Sequence, residues 1–277
     1  MPTVFRPRRF LPFLAALAGL FLSSLACTGN PFMVPSATPT ATSTATSTAT
    51  PTKTRTPTST ATSTATRTPT APATATPNFT PTTSYQDWPI LLFEQFDSDN
   101  SLWYTGKYSD EYIMEDSSIT GGKYLLKITS LKSVFHWTNP NIGNLTDFYL
   151  TTDVEQITSP NKCDYGLIFR NSGDNLYYFY INAPAKQYAV SMLSDGVGNS
   201  IIYWTSSEQI NPIGVNQLSV LAQGSHFMLA INGEEVNSFI DDTNKTGMVG
   251  IGFGIYQADE YMKLEVDNFI VIAPKAG

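Results

Sequence analysis

Side chains that commonly do chemistry are scarce in this chain of 277 residues, which has two histidines and two cysteines. His136 and His226 stand apart, without a neighbouring ligand or base pattern, and no G-x-S-x-G elbow presents a nucleophilic serine. Cys27 and Cys163 lie in such different settings that neither a disulfide nor a metal cluster is expected from them. Basic residues are also few, 16 against 23 acidic ones, and six of the sixteen precede Tyr85. Residues 85–277 therefore hold ten basic and twenty-three acidic side chains, a net charge of −13. Such a surface repels phosphate backbones, so nucleic acid is not an expected partner. Residues 1–84, for their part, contain no Asp, Glu, Tyr, Trp or His. A calcium-binding EF-hand is excluded too. Asp97-Ser98-Asp99-Asn100-Ser101 begins like its loop, but Leu102 replaces the turn glycine and Tyr108 falls where the bidentate glutamate belongs.

The chain that is present divides into three parts. Residues 1–27 read as an export signal: Arg6, Arg8 and Arg9 precede the apolar run 10–26, which closes on small residues before Cys27. The run is short for a membrane span and contains Pro12 and Gly19. Its ending, SSLAC, resembles a bacterial lipobox, which implies a lipid-modified Cys27 at the mature N-terminus, although Ser24 stands where leucine is usual. An uncleaved signal-anchor and simple secretion are the alternatives. Residues 28–84 form a Thr/Ala/Ser/Pro-rich tract with threonine at every even position from Thr38 to Thr70. The alternation is strand-like, yet the intervening Ala, Ser, Pro, Lys and Arg leave neither face anything to bury. A disordered, extended stalk is expected, a candidate for O-glycosylation, reaching on the order of 150 Å at about 3.1 Å per residue. Together these parts place the protein at the outer face of the cell membrane.

Residues 85–277 are long enough for a substantial core and read as one all-β domain. Strand patterns recur near 90–96, 112–115, 124–129, 133–137, 148–156, 165–170, 176–181, 188–193 and 201–205. They continue near 217–222, 226–231, 236–240, 248–256 and 262–272. Asn232-Gly233 is a hairpin signal, because a type I′ turn needs positive φ at both positions. Short strands at this spacing predict two antiparallel sheets packed face to face, a β-sandwich.

The order of several stretches carries a resemblance: LFEQFDSDNSLW, GGKYLLKI, DFYLTTDVE, YGLIFRN, LYYFYI, QLSVLAQGSHFMLAINGEEV, GMVGIGFG and LEVDNFIV. In this order they resemble the concanavalin-like jelly roll over about residues 88–272. Within it the chain looks most like the 3-keto-disaccharide hydrolase family, and more distantly like laminin-G-like and family 16 glycoside hydrolase domains. The resemblance implies a sandwich whose concave face meets carbohydrate. It also suggests a structural calcium shared by Glu94 or Asp97 with Asp267.

The candidate site comes from the stretch Cys163 to Asn182, which reads as two strands around an Asn/Ser/Gly/Asp turn. Alternation sends Leu167, Phe169, Tyr177, Phe179 and Ile181 to the core. Arg170, Tyr178 and Tyr180 then share the other face, with Tyr188 and Trp204 as additions from later strands. Flat aromatics beside a few polar groups suit pyranose rings, though tyrosines are also good strand residues on a half-exposed sheet. Family 16 hydrolases carry Glu-x-Asp-x-Glu on one strand, and the nearest approach, Glu265-Val266-Asp267-Asn268-Phe269, lacks the last glutamate. Asp153-Val154-Glu155 reads as solvated alternation. In the last strand, Leu264 and Val266 have one parity and Phe269 and Val271 the other, so a bulge at Asp267-Asn268 is expected. These readings favour a non-catalytic, lectin-like glycan-binding domain. A glycoside hydrolase of the 3-keto-disaccharide type and an envelope adhesion module are the alternatives.

Three acyl chains on Cys27 would hold the protein firmly, at about 0.8 kcal/mol per buried methylene. Cys27→Ser should abolish lipid labelling and leave the protein released or unprocessed, as read by fractionation and radiolabelled palmitate. Unchanged labelling of that variant would rule out the anchor.

Overall fold

The computed structural model describes residues 85–158, 162–195 and 197–275. Cys27 and the expected signal and stalk lie outside these residues. After a short 3-10 turn at Tyr85–Asp87, fifteen strands follow. The first six are β1 (Ile90–Glu94), β2 (Gly106–Ser109), β3 (Ile113–Ile119), β4 (Tyr124–Ser130), β5 (Val134–Thr138) and β6 (Phe148–Thr158). Next come β7 (Cys163–Ser172), β8 (Asn175–Asn182), β9 (Gln187–Ser194), β10 (Val197–Ser206) and β11 (Val215–Gln223). The chain ends with β12 (His226–Ile231), β13 (Glu234–Ile240), β14 (Met248–Ile255) and β15 (Tyr261–Ile272). They form a nine-stranded sheet, β13-β12-β11-β6-β15-β4-β3-β2 with β1 also on β15, and a six-stranded sheet, β10-β9-β8-β7-β14-β5. All pairings are antiparallel, giving the expected sandwich.

Alternation explains most elements. On β4 Tyr124, Leu126 and Ile128 are buried, while Leu125, Lys127 and Thr129 are half-buried on the other face. β12 repeats the pattern with Phe227, Leu229 and Ile231 inward. Asn232 (φ 53°) and Gly233 (φ 84°) make the turn between β12 and β13, where their left-handed backbones meet the type I′ requirement. β2, with the sequence Gly-Lys-Tyr-Ser, has no apolar alternation to betray it and lies at the sheet's outermost position. Where LFEQFDSDNSLW enters the sandwich, Trp103 packs on Phe96, Tyr124 and Phe269 with ring centroids 4.9 to 5.6 Å apart.

Two bulges redirect side chains. On β15 the pairing with β6 shifts between Asp267 and Ile270, and Asn268 adopts a φ of 50°. The expected parity change results: Leu264, Val266, Phe269 and Val271 are all fully buried. On β7 the register with β8 shifts between Phe169 and Ser172, and Arg170 itself takes a φ of 48°. That irregularity corrects the expected place of Arg170, which turns into the sandwich and is 1% exposed. Its guanidinium lies 4.6 Å from the Phe227 ring centroid and donates to the carbonyls of Thr146, Gly224 and Asn244. These carbonyls belong to three loops, those before β6, between β11 and β12, and between β13 and β14. Tyr188 is likewise corrected to the core. Its ring meets Phe179 edge-on, its hydroxyl donates to the Val236 carbonyl at 3.0 Å, and Asn237 donates to it at 3.1 Å, tying β9 to β13 across the two sheets.

Arg170→Met keeps much of the apolar stem but leaves three carbonyls without this donor. It should lower unfolding free energy by about 3 kcal/mol or more, since each stranded buried acceptor costs about 1–3 kcal/mol. Chemical denaturation that left the midpoint unchanged would show Arg170 to be dispensable for the fold.

Candidate functional site

Sandwich strands normally bury one face, but β7 and β8 are buried on both. Leu167, Phe169, Tyr177, Phe179 and Ile181 enter the core between the sheets, as expected. On the outer face of the six-stranded sheet a second apolar cluster forms from Phe135, Ile168, Leu176, Tyr178, Tyr180, Ala189 and Leu193, with Trp137 and Trp204 packed against it. Tyr178 and Tyr180 stack with centroids 4.4 Å apart and an interplanar angle of 12°. Phe135 lies 4.7 Å from Tyr178, and half-buried Trp204 meets Tyr180 edge-on at 5.0 Å.

Glycine on β14 makes this packing possible. A Cβ at Gly252 would stand 2.8 Å from both the Tyr178 ring and the Ile168 side chain, and one at Gly254 would be 2.8 Å from an Asp164 oxygen. The tyrosines thus lean across a strand that has no side chains in their way. Beneath them sits Asp164, 1% exposed. Its Oδ1 accepts from the Tyr178 hydroxyl at 2.8 Å and its Oδ2 from the Tyr256 hydroxyl at 2.6 Å, and the Gly254 N–H donates as well. Burial pushes the carboxyl up to about 7, against the pull of these three donors toward the ionised form. Tyr178 and Tyr256 are raised well above the usual phenol range, first by burial and then by the field of Asp164. Tyr180 is raised by burial and by Asp164, while its hydroxyl shares a 3.0 Å hydrogen bond with Ser191.

Of the residues singled out from sequence, Tyr178, Tyr180 and Trp204 come together here. The tyrosines are 1% and 2% exposed, so they form the floor rather than the half-exposed surface expected of them. Arg170 and Tyr188 belong to the core. Asp164, Tyr256, Phe135 and Trp137 were not singled out. Asp164 did carry a signal, since it shares the parity of Gly166 and Ile168 rather than that of Cys163, Tyr165 and Leu167. His136, which stands apart in sequence, lies 3.4 Å from buried Glu115 at the seam between β3 and β5.

Two of the calcium candidates, Glu94 and Asp267, face opposite sides of their sheet. Glu94 points inward with Leu92, and its oxygens accept from the Phe96 N–H and the Asn100 amide. Asp97 is exposed. Asp267 faces the opposite side of its sheet, in a shallow depression with Lys123, Asp153, Glu155, Val215 and Glu265. Among the described residues no three acidic, His or Cys side chains converge as metal ligands. The Glu265-x-Asp267 motif is therefore on the outer face of the nine-stranded sheet, away from the aromatic cluster. Glu265 is held below the usual range by hydrogen bonds from Lys123 at 2.7 Å and Lys263 at 2.8 Å.

No protein-family model matches the chain, and no curated protein matches its sequence significantly. Solved structures do match. A β-1,3-1,4-glucanase (lichenase) from a mouse hindgut metagenome superposes with a TM-score of 0.51 at 11% identity, over 66% of this chain and 98% of its own. The fold is a concanavalin-like jelly roll. The catalytic domain of a Thermotoga petrophila endo-1,3-β-glucanase (laminarinase) matches with a TM-score of 0.50 at 9% identity, over 69% of this chain and 99% of its own. A Bacillus subtilis protein of unknown function with a galectin-like fold gives 0.50 at 12% identity, over 66% and 95%.

The Asp164 carboxyl, ordinarily near 3.8, binds a proton in the folded jelly roll up to about pH 7. Between these values the folded state holds one proton more than the unfolded chain. Its contribution is thus most favourable below about pH 4 and is lost as pH rises to about 7. Asp164→Asn should flatten the pH dependence of unfolding free energy across that window, and an unchanged slope would show that Asp164 does not titrate there.

Proposed function

We propose that this jelly roll is a glycan-binding domain and that ligand meets the outer face of its six-stranded sheet. The observation that carries the reading is the aromatic cluster there, in which half-buried Trp204 stands over a floor of stacked Tyr178 and Tyr180. Pyranose rings gain from flat aromatic surface, which half-buried Trp204 and Trp137 present here. Two solved structures of the same fold are glucanases by name, which is consistent with carbohydrate as the ligand class.

Binding without cleavage is the favoured form. Glycoside hydrolysis ordinarily uses two carboxylates, about 5–5.5 Å apart when retaining and about 6.5–9.5 Å when inverting. Among the described residues, Asp164 is the one carboxylate hydrogen-bonded into this cluster. A hydrolase of the 3-keto-disaccharide type is the second reading, consistent with the glucanases that share the fold. Displayed on a stalk from a lipidated Cys27 at the outer face of the membrane, the domain would meet glycans beyond the cell's own envelope layers. That part of the proposal rests on the sequence of residues 1–84.

Trp204→Ala should weaken binding on a glycan array about fivefold, from roughly 1 kcal/mol of lost stacking, and lower the thermal midpoint less than Tyr178→Ala does. Tyr178→Ala should instead destabilise the domain by roughly 3 kcal/mol or more through a buried cavity. Full affinity in the Trp204 variant would move the site elsewhere, and product release from the bound glycans would favour the hydrolase.

A further inference from the structure

β10 is the last strand of its sheet, and two irregularities in its pairing with β9 decide where its apolar residues point. Ser200 opposes Ser191, Ile202 opposes Val190 and Thr205 opposes Tyr188. Ile201 is thus an extra residue, and both Ile201 and Ile202 pack on the core between the sheets. Tyr203 and Trp204 then stand where only Ala189 lies opposite, the two-against-one arrangement of a β-bulge. Ala189 belongs to the outer aromatic cluster and Trp204 packs against it, which puts this bulge on the outer face. Simple alternation would turn Tyr203 inward with Ile201. Instead it is 68% exposed, the most exposed aromatic side chain among the described residues.

We propose that Tyr203 and Trp204 form a paired platform for two consecutive sugar units, so that the face takes oligo- and polysaccharide chains rather than single sugars; the proposal rests on the reading that this face binds glycan. Trp204 offers one aromatic surface beside the tyrosine floor, and Tyr203, next along the strand, offers a second toward the sheet's edge. No strand follows β10 in this sheet, so a glycan chain can continue past the edge. A second protein strand fits that edge poorly, because the two irregularities interrupt its run of backbone donors and acceptors. The Thr205 hydroxyl also donates to the Tyr203 carbonyl at 2.8 Å, which occupies one of those acceptors. Tyr203 is exposed enough for its ring to be removed without opening a cavity, unlike those of Tyr178 and Tyr180.

The test uses the full chain and a panel of glucans, galactans and mannans, and for the best binder its oligosaccharides from a single unit to a hexasaccharide. Affinity should rise about fivefold between the monosaccharide and the trisaccharide, the gain from a second stacked ring. Tyr203→Ala should remove that rise with the thermal midpoint unchanged, and Tyr203→Phe should restore it. Tyr261→Ala, which removes an exposed ring from the outer face of the nine-stranded sheet, should leave the rise in place. Equal affinity for the monosaccharide and the hexasaccharide, or a rise that survives Tyr203→Ala, would overturn the paired platform, while loss of binding in Trp204→Ala would still report the glycan site. A dimer in sedimentation that Tyr203→Ala dissolves would assign the residue to self-association and overturn the platform as well. Binding indifferent to both Trp204→Ala and Tyr203→Ala, or no binding across the panel, would overturn the platform and the glycan reading together.

Discussion

Burial of β7 and β8 on both of their faces is the constraint from which the rest of the architecture follows, because a strand pair in water can ordinarily leave one side wet. Inward, Leu167, Phe169, Phe179 and Ile181 fill the space between the sheets. Outward, Ile168, Tyr178 and Tyr180 need cover of their own, and aromatic side chains from β5 and β10 pack beside them. The tyrosine rings can lie flat only because β14 presents glycine at positions 252 and 254. Their hydroxyls then require acceptors in a dry place. Tyr178 donates to Asp164, which also accepts from Tyr256, while Tyr180 pairs with Ser191, and the same burial raises the Asp164 carboxyl to about 7.

The opposite sheet solves its electrostatics differently. Asp153 stands opposite Asp267, and Glu155 opposite Glu265, so like charges face each other across β6 and β15. Lys123 and Lys263 offset the Glu265 end, while Asn268 and Gln217 donate to Asp153. The carboxylates there are half-buried. The two outer faces are therefore chemically distinct, one charged, the other aromatic around a single buried carboxyl.

Period-two alternation made the sandwich legible from sequence, because each strand with one dry face advertises it. The parity switch in β15 was legible for the same reason: four apolar residues of two parities cannot all reach a core without a bulge. Arg170 shows where that reasoning ends. Its neighbours Gly166 and Ile168 do face outward, but an irregularity two residues later turns the arginine inward, and alternation carries no sign of it. Tyr188 was misplaced because the register of β9 depends on its pairing with β8, which is set by contacts distant in sequence. The Asp164–Tyr256 bond spans 92 residues and the His136–Glu115 contact joins opposite sheets, so neither has a local pattern.

Glycan contact at the outer face of the six-stranded sheet is the central claim, and amide hydrogen exchange tests it most directly. Exchange would be followed on the full chain with and without the neutral glycan that binds best. Slowing should concentrate in β10 around Trp204 and in the adjoining β8 and β9 amides, while the nine-stranded sheet exchanges as before. Slowing centred instead on the depression between Lys123, Asp153 and Glu265 would contradict the account.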